Sequence, residues 1–139
     1  MLVKVGDAVT FGKTVTEADV MGFAEISGDH YEAHVDAEAM AASPFGQRIA
    51  HGALLVGLMS AAGTAMIDLV RRRGDTTQPV SLGYDRIRFV APVFFGDSVS
   101  LDYVVTAVDP EARRSSAHIE ARNQAGAVVA VADHVMKWL

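Results

Sequence analysis

Residues 52–73, GALLVGLMSAAGTAMIDLVRRR, decide the fold of this chain. The run is mostly apolar, but much of it is Gly, Ala and Ser rather than Leu and Ile, and it contains Asp68. A membrane-spanning helix would need about 20 strongly apolar residues without charges. The three closing arginines suit the negative end of a helix dipole, and Gly74 suits a helix end. We therefore predict a long helix buried in a soluble core, with no membrane partner.

The chain beyond this helix has the pattern of β-strands. β-Branched residues and period-two alternation, as in residues 98–104 (SVSLDYV), support this prediction. Residues 123–126, NQAG, are typical of a hairpin turn between two strands. The four predicted strands are Val80–Val90, Ser98–Val108, Ala112–Asn123 and Val128–Leu139.

The chain before the helix is mixed. Its expected elements are a short strand, a helix, a loop and a second short helix, at 8–15, 16–28, 29–34 and 37–42. Thr16 has the hydroxyl of a helix-capping residue, with Asp19 in the first turn, and Asp36 is placed to cap the second helix. The economical architecture is α+β, with a curved antiparallel sheet packed against the long helix.

Composition limits the possible functions. The chain has 139 residues, no cysteine and a net charge of −5. This length suits one domain with a real core, and the lack of cysteine excludes a disulfide framework or a cysteine nucleophile. The negative charge argues against nucleic acid as the main partner. The first residues, MLVKVGDAV, lack an apolar signal region, so we expect a cytoplasmic location.

Residues 23–52, FAEISGDHYEAHVDAEAMAASPFGQRIAHG, contain the candidate chemistry. Asp29 and His34 lie five residues apart, just after a Ser-Gly break. On a regular helix this spacing would place them about 140° apart, so they converge only if the segment is a loop. The spacing alone favours a capping Asp and a packed His. Only the surrounding motif makes the two an acid–base pair.

Gly52 and His51 stand at the entrance of the long helix. A backbone N–H there has no partner within the helix and lies at its positive end, so Gly52 is a candidate oxyanion donor. Glycine would also let a carbonyl approach without a Cβ in the way. The alternative is a glycine that only starts the helix. We expect His51 to order the preceding loop by a hydrogen bond rather than to act as a second base.

The order of these motifs resembles the hot-dog-fold hydratases of the MaoC-like, (R)-specific enoyl-CoA hydratase family. The matching pieces are Ser27-Gly28-Asp29, His34, Asp36, Phe45-Gly46, Ile49–Gly52, Arg88–Val93 and Gly96-Asp97. The resemblance implies one hot-dog domain over residues 1–139, with the sheet wrapped around the central helix. It implies a hydratase/dehydratase that reversibly adds water to a trans-2-enoyl-CoA, giving a 3-hydroxyacyl-CoA, with Asp29 and His34 as the catalytic residues.

The resemblance also implies partners for this chain, although the chain departs from the family motif at two positions. It implies an acyl-CoA substrate, no cofactor beyond the coenzyme A of that substrate, and at least a homodimer with two sheets joined edge to edge. In the best-known form of the motif an Asn-Pro pair lies between the Asp and the His. Tyr31 and Glu32 occupy those places here, which puts Tyr31 among the substrate-binding candidates.

Other candidates are less distinctive. Ser60 lies two turns into the helix, where family members can carry a pocket serine, although packing alone would also explain it. Arg86 and Arg88 should alternate onto one side of their strand, facing either coenzyme A phosphates or solvent. The side chains expected in the core or an acyl pocket are Met59, Met66, Phe94 and Phe95.

No metal site is expected from the sequence. It has no carboxylate cluster, and His118 and His134 are isolated on strands.

Two other functions stay open. A hot-dog thioesterase would activate water from an acidic residue on or near the central helix, where Asp68 is the only carboxylate and lies far from Gly52. A non-catalytic acyl-CoA-binding subunit is compatible with Tyr31 and Glu32 in the motif.

Overall fold

All five strands of the protein join one antiparallel sheet. A computed structural model describes residues 1–139. The elements are β1 (Ala8–Thr14), α1 (Glu17–Ser27), α2 (Glu32–Val35), α3 (Ala37–Ala41), α4 (Gly52–Arg71), β2 (Pro79–Phe89), β3 (Ser98–Asp109), β4 (Arg114–Arg122) and β5 (Val128–Trp138). The strand order is β1-β3-β4-β5-β2, which leaves β1 and β2 at the edges.

Helix α4 lies against one face of this sheet. It contacts β1 and β3, and Gly63 faces β5, where an added Cβ would come within 3.1 Å of Met136 and 3.2 Å of His134. Small residues on the helix therefore let the sheet approach closely. The buried α4 residues are Leu54, Leu55, Leu58, Met59, Ala62, Gly63, Met66 and Val70. The predicted α+β class, a curved antiparallel sheet around a long central helix, is confirmed.

Length and hydropathy alone would let α4 cross a membrane, because its mean hydropathy is 1.8 over an 18-residue window. The same properties belong to the core helix of a globular domain, and here α4 contributes much of the core.

The capping signals at the start of the chain are confirmed. The Thr16 side chain accepts a hydrogen bond from Asp19 N–H, while the Asp19 carboxylate accepts one from Thr16 N–H. Gly28 ends α1 in the left-handed conformation, with φ +79°, which glycine adopts without a Cβ penalty. Asp36 caps α3 by accepting from Ala39 N–H.

The prediction of a continuous loop over residues 29–34 is wrong at its end. Glu32–Val35 form α2, so His34 stands on a helical turn. The change of direction occurs just before it, at Gly28 and Asp29, where the Asp29 carboxylate accepts a hydrogen bond from Tyr31 N–H. A side-chain turn of this kind lets the chain reverse within a few residues.

The regular alternation expected for Arg86 and Arg88 is also wrong. The register of β2 against β5 shifts between Asp85 and Arg88, and Arg86 has φ +51°. This irregularity breaks the period of two. Arg86 pairs with Asp133, whereas Arg88 is exposed and donates to the carbonyl of Ile87.

Candidate active site

The candidate residues meet at the N-terminus of α4. Asp29, His34 and His51 each place one carboxylate oxygen or ring nitrogen within 4.8 Å of the others. The two imidazole rings stack, with their centroids 3.7 Å apart and their planes 26° from parallel. The structure therefore brings Asp29 and His34 together, through the turn at Gly28.

Asp29 is held by its backbone and one carboxylate oxygen. Its N–H donates to Ser27 Oγ at 3.1 Å, its carbonyl accepts from His51, and its Oδ1 accepts from Tyr31 N–H at 3.2 Å. The residue is exposed, and its only carboxylate hydrogen bond within the protein is the one at Oδ1. One carboxylate oxygen thus remains available to a ligand or water.

His34 is buried, and one of its nitrogens is committed to the backbone. Its Nδ1 lies 2.8 Å from the carbonyl of Ile49, which can only accept, so Nδ1 carries the hydrogen. In the neutral ring, Nε2 then presents a lone pair that can take a proton from water. Burial on α2 fixes this ring beside Asp29.

His51 is more deeply buried, with 2% of its surface exposed. Its Nε2 donates to the carbonyl of Asp29 at 2.9 Å, which is the loop-ordering hydrogen bond expected from the sequence. Its Nδ1 has no partner in the protein. Phe23 contacts the ring from α1, with 4.8 Å between centroids. The contacts of His51 therefore support the position of Asp29 and His34.

Gly52 is the first residue of α4, and its N–H has no acceptor among the hydrogen bonds of the protein. It borders a cavity of about 420 Å³ together with His34. Most of the lining is apolar: Phe45, Ile49, Ala50, Leu55, Phe89, Val90, Ala91, Pro92 and Val93. A site for a partly apolar ligand thus adjoins both the free His34 nitrogen and a free backbone N–H.

The packing around Gly52 differs from the sequence argument. A Cβ added there would lie 2.5 Å from two atoms of the Phe89 ring, far inside contact distance. Glycine at this position therefore lets an aromatic ring from the end of β2 rest on the helix start. Met59 and Met66 lie in the core, which is one of the two places predicted for them. Phe89 and Phe45 line the cavity and were not among the lining residues predicted from the sequence.

The remaining candidates surround the site less closely. The Tyr31 ring meets His34 edge-on, with 5.9 Å between centroids, and is 62% exposed. Ser60 is exposed on α4, and neither it nor Arg88 lines the cavity. Their roles in substrate binding stay predictions.

The two strand histidines are not isolated. His118 Nδ1 lies 2.8 Å from the Asp133 carboxylate on the exposed side of the sheet. His134 is buried between the hydroxyls of Tyr103 (3.0 Å) and Ser81 (2.8 Å), and burial lowers its pKa to about 4. These pairings join residues distant in the sequence, so spacing gave no sign of them.

The cluster of Asp29, His34 and His51 at the entrance of α4 has the geometry of a possible metal site. Two imidazoles and a carboxylate are groups that first-row transition metals accept as ligands. Metal-binding sequence motifs have ligands close together along the chain, whereas His51 joins this cluster from a different segment. The absence of a metal requirement stays a prediction.

Comparisons with known proteins agree with this architecture. The MaoC like domain family matches residues 3–128. Protein MaoC of Klebsiella aerogenes is 39% identical over 97 residues, which are 69% of this chain and 27% of that protein. The 3-hydroxybutyryl-CoA dehydratase of Methylorubrum extorquens is 38% identical over 113 residues, 81% of this chain and 66% of the relative. This chain thus spans about a quarter of the length of protein MaoC and about two thirds of the length of the dehydratase.

A solved structure, the (R)-hydratase from A. caviae involved in PHA biosynthesis, superposes with a TM-score of 0.82 at 28% identity. The superposition covers 97% of this chain and 96% of the hydratase. The sheet order, the central helix and the sequence match all lead to one assignment. The chain belongs to the MaoC-like domain family and has its hot-dog fold.

Proposed function

We propose that this protein is a hydratase/dehydratase that reversibly adds water to a trans-2-enoyl-CoA, or a related enoyl thioester, to give a 3-hydroxyacyl-CoA. The observation that carries the proposal is the grouping of the Asp29 carboxylate with the His34 ring, beside the unpaired N–H of Gly52. The relatives named as a dehydratase and an (R)-hydratase support it, since those names describe the two directions of one reaction.

Asp29 and His34 act on one water molecule. The free Asp29 oxygen accepts one O–H, and the His34 Nε2 lone pair accepts the other. As the water oxygen bonds to C3, its proton passes to this pair and the C2=C3 π electrons move toward the thioester. The pair then returns a proton to C2. Both residues end in the state in which they began, so the reaction runs in either direction.

The Gly52 N–H donates a hydrogen bond to the thioester oxygen, on which negative charge develops during the reaction. This free N–H stands at the start of a 20-residue helix, where the dipole is positive. A fixed donor of this kind stabilises an enolate-like oxygen more than the neutral carbonyl, which lowers the barrier.

The proposal includes no metal and no cofactor beyond the coenzyme A of the substrate, and it places the protein in the cytoplasm. Tyr31, Ser60 and Arg88 contact the substrate in this proposal, and His51 positions Asp29. The exposed ring of Tyr31, which lies beside His34, supports this role.

The active form is proposed to be a homodimer joined through β2. This strand is an edge of the sheet and exposes apolar side chains at Val80 and Leu82. An exposed apolar edge strand favours pairing with another strand. A second copy of β2 would extend the sheet across both subunits.

One assay tests the proposal. The protein is mixed with trans-2-butenoyl-CoA, and the conjugated thioester and free thiol are followed together. Reversible loss of conjugation without thiol release is the expected result. Thiol release would instead identify a thioesterase, and binding without either change would identify a non-catalytic acyl-CoA-binding subunit, which the Tyr31-Glu32 departure keeps open.

The residue assignment needs its own variants. Asp29→Asn and His34→Ala should each lower kcat by about 10²-fold or more, the usual size of an acid–base contribution. Thermal unfolding measured by circular dichroism should remain cooperative in both. Full activity in both variants would show that the chemistry is carried by other residues.

A further inference from the structure

The ring of Phe89 lies directly against the candidate carbonyl site. A Cβ built on Gly52 would come within 2.5 Å of Cδ2 and Cε2 of this ring and 2.8 Å of its Cγ. Phe89 is the last residue of β2, and 52% of it is exposed. The ring is thus packed on one side by the helix start and open to solvent on the other.

The same ring is a wall of the cavity that contains His34 and Gly52. A thioester whose carbonyl bonds to Gly52 N–H would lie next to the Phe89 ring, because both residues line this cavity and contact each other. Since the ring is half-exposed, bound substrate would cover apolar surface that now faces water.

The apolar lining of the cavity indicates which part of the thioester binds there, the pantetheine arm or the acyl chain. Eight of the eleven cavity residues are hydrophobic, and His34 is the only titratable side chain of the lining. The pantetheine arm carries two amides, which lose free energy when buried without hydrogen-bond partners. A hydrocarbon chain needs no partners, so the cavity fits the acyl chain. Its volume of about 420 Å³ is within the usual range for small-molecule sites.

We propose that Phe89 is a specificity-determining residue: its ring lies beside the carbonyl site at Gly52, forms a wall of this acyl cavity and sets the length of acyl chain that the protein accepts. The proposal rests on the proposed thioester function, because it takes Gly52 as the carbonyl site. It adds a residue whose size, rather than its chemistry, controls the choice of substrate.

The test compares Phe89→Ala with the wild type on a four-carbon and an eight-carbon trans-2-enoyl-CoA. Removing the ring should raise the ratio of kcat/KM for octenoyl-CoA over butenoyl-CoA by about tenfold or more, the range expected when a pocket gains room for added methylenes. The change should appear mainly in KM, because Asp29 and His34 are untouched. Phe89→Leu should give an intermediate ratio and serves where the alanine variant folds poorly.

Val104→Ala is the matched control. Val104 is an exposed apolar residue of β3 that does not line the cavity, so its truncation should leave the ratio unchanged. Sedimentation of each variant checks that the oligomeric state of the wild type is retained. If both chain lengths change by the same factor in Phe89→Ala and Phe89→Leu, Phe89 does not select the acyl chain.

Binding separates this proposal from the proposed function. Calorimetry measures the dissociation constants of butyryl-CoA and octanoyl-CoA, which have no double bond to hydrate. The ratio of these two constants reports the preference for chain length in the absence of catalysis. A shifted ratio in a protein that hydrates nothing would support the role of Phe89 and overturn the hydratase. An unshifted ratio in an active hydratase would overturn the role of Phe89 alone. A wild type that binds neither ligand would overturn both.

Discussion

At the scale of single residues, the two stacked histidines differ in which nitrogen they commit to the backbone. His34 bonds the Ile49 carbonyl through Nδ1, and His51 bonds the Asp29 carbonyl through Nε2. The free nitrogen of His34 belongs to a ring that lines the cavity, whereas the free nitrogen of His51 is buried without a partner. This difference favours proton transfer for His34 and a positioning role for His51.

Replacing His51 by Phe tests that division. The ring and its stacking are kept, while the hydrogen bond that holds the Asp29 carbonyl is lost. We expect kcat for enoyl-CoA hydration to fall by about 10- to 100-fold, because small displacements of a catalytic group have effects of this size. The free energy of unfolding should change by about 1 kcal/mol or less, the usual net value of one hydrogen bond.

His30→Gln is the control for this prediction. His30 is adjacent to Asp29 in the sequence, but its ring is exposed and bonds Glu25 rather than the site. Its kcat should match the wild type. Unchanged kcat in His51→Phe would show that the loop holds Asp29 without the His51 hydrogen bond.

At the scale of elements, the site is assembled by several short connections. Helix α1 ends at Gly28 and delivers Asp29, and α2 carries His34. The segment before α4 is pinned by Ile49 N–H to the Ala33 carbonyl and by Ala50 N–H to the Val93 carbonyl. Backbone hydrogen bonds between elements therefore hold the entrance of α4, whereas Asp29 is held by the side chains of His51 and Ser27.

The capping box of α1 should contribute measurably to stability. Thr16→Ala removes the acceptor for Asp19 N–H, so the unfolding free energy should fall by about 1 kcal/mol, as at other N-caps. Urea unfolding measures the change. Hydration activity should be unaffected, because the cap lies at the opposite end of α1 from Asp29. An unchanged urea midpoint would mean that this cap contributes nothing net.

The sequence predicted the features that depend on local pattern. The capping box, the long helix and the hairpin strands have signals within a few residues of themselves. The contact of Phe89 with Gly52 and the bonding of His134 join distant segments, so no local signal exists. The bulge at Arg86 was missed because β-branched alternation looks the same on either side of an inserted residue.

At the scale of the whole molecule, the exposed edge of β2 predicts the oligomeric state. The protein should sediment as a dimer at micromolar concentration, since Val80 and Leu82 present apolar side chains on an unpaired edge strand. The double variant Val80→Lys, Leu82→Lys should be monomeric, because pairing two copies of β2 would bring the added positive charges of both subunits together. A wild type that sediments as a monomer would contradict the prediction.

The buried polar group around His134 makes stability depend on pH across the whole fold. His134 stacks on Tyr84 of β2 and bonds Tyr103 of β3, so its environment exists only in the folded chain. Burial lowers the pKa of its imidazole to about 4 from the ordinary 6.5. As the pH falls, His134 is protonated at a higher pH in the unfolded chain than in the folded chain. The stability contributed by neutral His134 is therefore complete above pH 6.5 and is lost as the pH falls toward 4.

Urea unfolding at closely spaced pH values between 7 and 4 measures this loss, with His134→Gln as the variant that cannot titrate. The amide of Gln can still bond the Tyr103 and Ser81 hydroxyls, so the comparison isolates the proton. The wild type should lose more stability than the variant across this window. Asp75 does not interfere, because hydrogen bonds from Thr77 and Leu2 outweigh its burial and set its pKa at about 2. Parallel curves for the two proteins would mean that the His134 pocket admits the charged ring without cost.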